Sequence, residues 1–379
     1  MHAVQIGWVL DPERREPAAL LDAWPTLRDV ACAANADGVR VTVIQAAHRD
    51  AVIECGAVTF HFVAGASTRA VMRRVIARAA KLRPDVLHVQ GLAFPLQIRA
   101  LTRAFPHTPV LVQDHGSRPP ARWKRPLHRW GLAGIAGVAF TAREQAAPFI
   151  VAGILRPDVP VFEVLESSSL FTPGDRDAAR RATGVYGDPC LAWVGRLDAN
   201  KDPLTVLDAV ARVLPSLPGL QLWCCYTDAP LLDAVRARLA AEPALAARVH
   251  LLGRLPHERV QDALRAADFL VLGSHAEGSG YAVIEALACG TTPLVTDIPS
   301  FRRITGGGAY GALSPPGDAA AMARALVDWA ARDREALRRA ARAHFERALS
   351  FDAVGEELRA AYRALAAVRS RLHSVGGRV

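Results

Sequence analysis

The chain has little from which to build a metal or disulfide framework. Its 379 residues include only six cysteines, Cys32, Cys55, Cys190, Cys224, Cys225 and Cys289, and no two of them form a C-x-x-C pair. That excludes the usual spacing of a zinc site and the frame of a small disulfide-rich domain. Most of them fall inside apolar stretches and read as small buried hydrophobes of a reducing compartment. No segment reaches the roughly 18 apolar residues that span a bilayer, and no charged-then-apolar leader opens the sequence. The expectation is a cytoplasmic protein, at most peripheral at the inner face of the membrane. Long disordered tracts are also missing: 51% hydrophobic and 22% charged residues is a globular composition, with only the tail Ser370 to Val379 expected to fray. The letters D-x-D, which can announce a metal site, occur at Asp175-Arg176-Asp177. They precede a helix, where aspartate is a common N-cap, so no metal is expected.

Positive charge, by contrast, is in excess. A formal net charge of +9 and a pI near 9.7 give a surface that attracts anions. Much of it gathers in Arg118 to Trp130, RPPARWKRPLHRW, where Arg118, Arg122, Lys124, Arg125 and Arg129 are interleaved with Trp123 and Trp130. Two readings are open: a surface for anionic lipid, or a solvated basic loop whose tryptophans pack inward. No nucleic-acid module accompanies the charge, so no nucleic-acid partner is expected.

Length predicts two domains. Short apolar strands at Val4–Val9, Val39–Ile44, Val58–Val63, Val86–Val89, Val110–Gln113, Val138–Thr141 and Val161–Leu165 alternate with helices such as Thr68–Leu82 and Pro95–Ala104. Such alternation implies a parallel sheet covered by helices. A Ser, Pro, Gly and Asp cluster at 166–177, ESSSLFTPGDRD, reads as a linker. The alternation then restarts with strands at Leu191–Val194, Gln221–Cys225, Val249–Leu252, Phe269–Leu272 and Thr292–Thr296. The expected organisation is a first domain over 1–165, a linker over 166–177 and a second domain over 178–350. A last helix, about 351–379, lines up Phe351, Val354, Leu358, Tyr362, Leu365 and Val368 on one face, which needs an apolar surface to cover.

Two stretches of the second domain could carry chemistry. Strand Leu191–Val194 runs into Gly195, Arg196, Leu197 and Asp198, with Lys201 just before the next helix. Ligands of open parallel sheets bind beyond the carboxyl ends of the strands, so these cations either suit a diphosphate or are ordinary loop charges. In the second stretch, Ser274 to Ser300, Glu277 and Glu285 stand eight apart around Gly278 and Gly280. The small-residue turn before the helix at Tyr281 offers backbone N–H groups to an anion. Glu277 could accept sugar hydroxyls, or could be a carboxylate favoured at a helix start. Glu285 is a single carboxylate on an otherwise oily helix, where an ionised group is costly without partners. Something polar should meet it; a ribose diol would do.

Together the E-x7-E pair Glu277 and Glu285, the loop Gly195-Arg196-Leu197 with Lys201, and the run Gly290 to Val295 resemble the retaining GT-B glycosyltransferases of family 4. Weaker likeness runs through Pro84 to Gly91 and Asp114-His115-Gly116. The resemblance implies an α/β GT-B fold, two Rossmann-like parallel-sheet domains facing a central cleft, with the last helix returning to the first domain. It further implies a sugar-nucleotide donor on the second domain. Arg196 and Lys201 would take the diphosphate, Glu285 the ribose, and Glu277 the transferred hexose-type sugar. Gly278, Gly280 and Tyr281 would lie at the phosphates, Gly253-Arg254-Leu255 would face the base, and His115 would reach the sugar from the first domain. No metal or other cofactor is then needed, and the acceptor is left unidentified. Two stretches depart from the pattern: Asp11-Pro12-Glu13-Arg14-Arg15 stands where a glycine pair is common, and Leu165 to Ser169 where many relatives carry Pro-Asn-Gly. The alternatives are a sugar-nucleotide 2-epimerase on the same fold and a non-catalytic relative that binds sugar nucleotide or a partner.

Overall fold

The computed structural model describes the backbone of residues 1–376 and the side chains of residues 1–367. It divides into two compact units. One comprises Met1–Ser168 together with the C-terminal helix, and the other Ser169–Ser350. The expected linker is thus divided. Glu166, Ser167 and Ser168 are buried in the first unit and the remaining residues open the second.

The first unit holds an eight-stranded sheet. In chain order its strands are β1 (His2–Gly7), β2 (Arg40–Ala46), β3 (Ala51–Cys55), β4 (Val58–Val63), β5 (Val86–Gln90), β6 (Val110–Gln113), β7 (Gly137–Phe140) and β8 (Val161–Glu163), and in space they lie β3-β4-β2-β1-β5-β6-β7-β8. All neighbours are parallel except β3, which pairs antiparallel with β4 at the edge. This hairpin strand is absent from the sequence reading because its side chains alternate only between exposed and half-buried, as at an unshielded edge. Central strands such as β5 and β6 are buried on both faces and read as continuous apolar runs. Their core joins Val4, Ile6, Leu87, Val89, Val110, Val112 and Val138 to Val75 and Ile98 of the flanking helices.

The C-terminal helix runs over Phe351–Gly376 and so takes in most of the tail expected to fray; the side chains from Val368 onward and the backbone of 377–379 lie outside the described residues. Within the first unit it packs on helix Pro25–Ala34. Contact is close because Gly355 has no Cβ: one placed there would sit 2.2 Å from Ala33 O. Arg359 and Arg363 donate to the carbonyls of Ala33 and Asp37 at the end of that helix. Val354, Leu358, Tyr362 and Leu365 are buried. Tyr362 reaches deepest, its hydroxyl meeting His88 Nδ1 at 2.7 Å and accepting from Gln5 Nε2 at 3.1 Å.

The second unit holds a six-stranded parallel sheet of β9 (Cys190–Gly195), β10 (Gln221–Tyr226), β11 (Val249–Gly253), β12 (Phe269–Leu272), β13 (Thr292–Thr296) and β14 (Ala312–Ser314), in the order β11-β10-β9-β12-β13-β14. Three residues are too few for periodicity, and β14 escapes the sequence reading for that reason. A buried carboxylate, Asp268, ties the layers together. It receives Arg176 at 2.9 Å, Arg180 at 3.1 Å and the backbone N–H of Cys190 at 2.8 Å. Several donors per carboxylate are what make such burial tolerable. Asp175 accepts from Ala178 N and caps helix Arg176–Thr183, as its position in the D-x-D letters predicts.

The basic stretch departs from expectation. Rather than a loop, it forms a short 3₁₀ turn at Arg122–Lys124 and a helix at Arg125–Leu132. Its tryptophans do not pack inward: Trp123 is 78% and Trp130 42% exposed.

Candidate functional site

At the carboxyl ends of β9 and β10, inside the second unit, lies a pocket of about 320 Å³. Gly195, Arg196, Lys201, Leu255, Glu277, Tyr281 and Glu285 all line it. The strand order explains the convergence. The chain arrives at β9 in the middle of the sheet, runs outward to β10 and β11, then crosses back to β12 on the other side, so the loops after β9 and β12 diverge from adjacent strands. Such a reversal of strand order opens a crevice beyond the sheet, where ligands of open α/β folds bind.

Those two loops are laced together. His275 N donates to Asn200 O at 2.8 Å, Asn200 Nδ2 to Ala276 O at 2.9 Å, and His275 Nε2 meets Asp202 at 3.1 Å. The lacing brings Lys201 Nζ to 2.6 Å from Glu277 Oε1, with both side chains largely buried. The ammonium and the carboxylate therefore stand side by side in the pocket wall. Arg196 also lines the pocket but is 54% exposed, with its guanidinium 3.0 Å from Asp198.

Glu285 sits one turn into helix Tyr281–Cys289, whose residues Val283, Ile284 and Ala286 to Cys289 are buried. The polar partner it requires is His257, whose Nε2 lies 2.7 Å from Glu285 Oε1. That hydrogen bond, with help from the Glu285 and Glu258 charges, raises the His257 pKa above its ordinary value against a smaller opposing effect of burial. Phe171 lies against the imidazole at 4.5 Å between ring centres. Sequence reasoning missed His257, together with Cys225, Tyr226 and Thr227 at the end of β10, which also line the pocket. One signal was available: His257 opens the helix that follows Gly253-Arg254-Leu255, the segment already singled out.

Gly280 ends the loop before helix Tyr281–Cys289 with φ +63°, a left-handed conformation suited to glycine, and a Cβ there would come within 2.5 Å of Phe301. The turn can therefore press its backbone against the helix start. Of the other expected residues, Gly253 ends β11 with φ +70°, and it, Arg254, Gly278 and Gly280 are not in the pocket lining. His115 belongs to the first unit. Its Nε2 lies 2.7 Å from Gln90 Oε1 and its Nδ1 3.5 Å from Glu166. Gln90 in turn approaches His88 Nε2 at 3.5 Å, so His115 connects through Gln90 and His88 to Tyr362 of the C-terminal helix. Among the described residues no group of three His, Cys, Asp or Glu side chains is arranged to hold a metal ion.

Fold and site define the class: two α/β units, each a mostly parallel sheet, as in the GT-B glycosyltransferases. The structure of Anabaena HepE in complex with UDP is similar over 96% of this chain and 100% of that one, with a TM-score of 0.70 and 16% identity. Sucrose-phosphate synthase from Thermosynechococcus elongatus is similar over 97% of this chain and 100% of that one, with a TM-score of 0.67 and 18% identity. Residues 175–346 match the family model described as glycosyl transferases group 1. The D-inositol 3-phosphate glycosyltransferase of Geodermatophilus obscurus is 38% identical over 207 residues, 52% of this chain and 45% of that protein. Its counterpart from Nocardia farcinica is 33% identical over 208 residues, 53% of this chain and 46% of that protein. The matches thus span about half the length of these relatives.

Proposed function

We propose that the protein transfers a hexose-type sugar from a nucleotide-diphosphate donor to an acceptor hydroxyl. One observation carries this reading: Arg196, Lys201, Glu277 and Glu285 converge on a single pocket at the carboxyl ends of the second sheet. In the reaction, the bond between the anomeric carbon and the diphosphate oxygen breaks and its electron pair leaves with the diphosphate. The acceptor oxygen then bonds the carbon and passes its proton to the departing diphosphate oxygen. Positive charge at Lys201 and Arg196 is placed to stabilise the charge that develops on the leaving group, without help from a metal. The ammonium of Lys201 has three donors, so it can hold Glu277 and phosphate oxygens together. Glu277 accepts hydroxyls of the sugar, and Glu285, steadied by His257, accepts those of the ribose. Entry of the acceptor on the face from which the diphosphate leaves retains the anomeric configuration, as the resemblance to family 4 implies. His115 is kept as a catalytic candidate of the first unit. UDP in the HepE structure supports a nucleotide donor, and the names of the relatives make a phosphorylated polyol an acceptor to try.

A thermal-shift screen over GDP-, UDP- and ADP-sugars identifies the donor, since a ligand bound only to the folded state raises its stability by mass action. Donor cleavage is then followed with and without acceptors, and the anomeric configuration of the product is read by NMR. We expect Glu277→Ala to retain donor binding and lose turnover. Lys201→Ala should lose about 3 kcal/mol of transition-state stabilisation, roughly a hundredfold in rate. Wild-type turnover in both variants would overturn the assignment. A product epimerised at C2, formed without acceptor, would favour the epimerase instead.

A further inference from the structure

We propose that the exposed face formed by helices Pro95–Ala104 and Arg125–Leu132 of the first unit, with the turn Arg122–Lys124, docks on the headgroups of an anionic lipid bilayer. The proposal is independent of the transfer reading.

The first observation is charge. Between Asp85 and Glu144 the chain carries eight arginines and lysines against a single acid, Asp114. That acid does not offset them at the surface, because it is 4% exposed and accepts from Ser117 N at 3.0 Å. The segment therefore carries a net excess of seven positive residues. A one-signed field of this kind attracts anionic surfaces.

The second observation is apolar. Leu96, Trp123, Leu127 and Trp130 are 53%, 78%, 43% and 42% exposed, and all lie on these three elements. The two helices pack on one another; a Cβ at Gly131 would meet Pro95 at 2.4 Å, so the apolar residues of both belong to one surface. Cations sit against the rings: Lys124 Nζ is 4.8 Å from the Trp123 centroid, and the guanidinium carbons of Arg99 and Arg103 are 5.4 and 5.5 Å from that of Trp130. Tryptophan and leucine at the tip, with long basic side chains alongside, is the arrangement that inserts apolar groups at an interface while the charged heads meet phosphates.

This combination favours lipid over nucleic acid. Aliphatic Leu96 and Leu127 contribute nothing to base recognition. A Trp130 ring already faced by two guanidinium groups is also a poor platform for stacking a base. Bilayers use both features, and each cation near an anionic surface strengthens binding several-fold.

The full chain is sedimented with phosphatidylcholine vesicles, with and without phosphatidylglycerol, at low and high salt. The expected result is binding to the anionic vesicles alone, weakening as salt rises. The double variant Arg122→Glu with Lys124→Glu lowers partitioning about tenfold or more. Trp123→Ala lowers it several-fold while leaving the salt dependence unchanged. Unchanged unfolding temperatures show that each variant is folded, and Arg122→Gln with Lys124→Gln replaces the reversal if that one is not. No sedimentation, equal sedimentation with neutral vesicles, or full binding by the folded variants overturns the proposal. So does tighter binding to a single-stranded oligonucleotide than to the anionic vesicles.

Discussion

Glu285 shows how one residue can be half explained by its sequence. A lone carboxylate on an apolar helix demands a partner, and the demand is visible in Tyr281 to Cys289 alone. Its protein partner is not visible there, because His257 stands 28 positions away on another element. Their pairing has a consequence for stability. His257 has a raised pKa in the fold, so its contribution is fully present below its ordinary value near 6.5 and is lost as pH rises through the raised value. The imidazole is 70% exposed, so solvent screening keeps the effect small. We therefore expect the difference in unfolding temperature between the wild type and His257→Ala to be larger near pH 5.5 than near pH 8.5. The check is a thermal melt of both proteins across that range; a constant difference would mean that the pair does not stabilise the fold.

At the scale of elements, the site depends on two turns held in register. The loop after β9 reaches the loop after β12 through Asn200, His275 and Asp202, and the second loop is pinned to its helix by Gly280. Gly280→Ala would force a side chain into a left-handed backbone and against Phe301 at 2.5 Å. Backbone strain and the clash together should destabilise the second unit by about 2–3 kcal/mol and raise the KM for the donor. Chemical denaturation and donor titration measure the two effects separately. A stable variant with unchanged KM would show that the turn can relax. Glycines in Ser274 to Ser300 were legible as a tight turn; the left-handed position and its contact with Phe301 of the following helix were not, since both depend on how that helix packs.

Across the whole molecule, ionisable groups of the two units respond oppositely to acid. His88 lies buried beneath Tyr362, and burial, reinforced by the nearby His115, lowers its pKa to about 3. A histidine depressed in the fold and ordinary in the unfolded chain favours folding above roughly pH 6.5 and loses that advantage as pH falls. The first unit should therefore weaken in acid by up to about 1.4 kcal/mol per pH unit from this group, while the His257 pair of the second unit strengthens. His88→Gln should flatten the acid limb of urea unfolding for the first unit; an unchanged slope would place the acid sensitivity elsewhere.

The sequence by itself determined the alternation of strands and helices, the two-sheet plan, the apolar face of the last helix, and the four charged residues of the candidate pocket. These are local: apolar runs bounded by turn residues, and loops whose chemistry follows directly from the strands that deliver them. Only the tertiary structure decided that Lys201 pairs with Glu277, that His257 meets Glu285, that β3 and β14 extend the sheets, and that Trp123 and Trp130 face outward. Each of those depends on contacts between distant parts of the chain or on which face of a helix finds a neighbour. Local periodicity carries no record of either, because the strand order and the packing of elements set them.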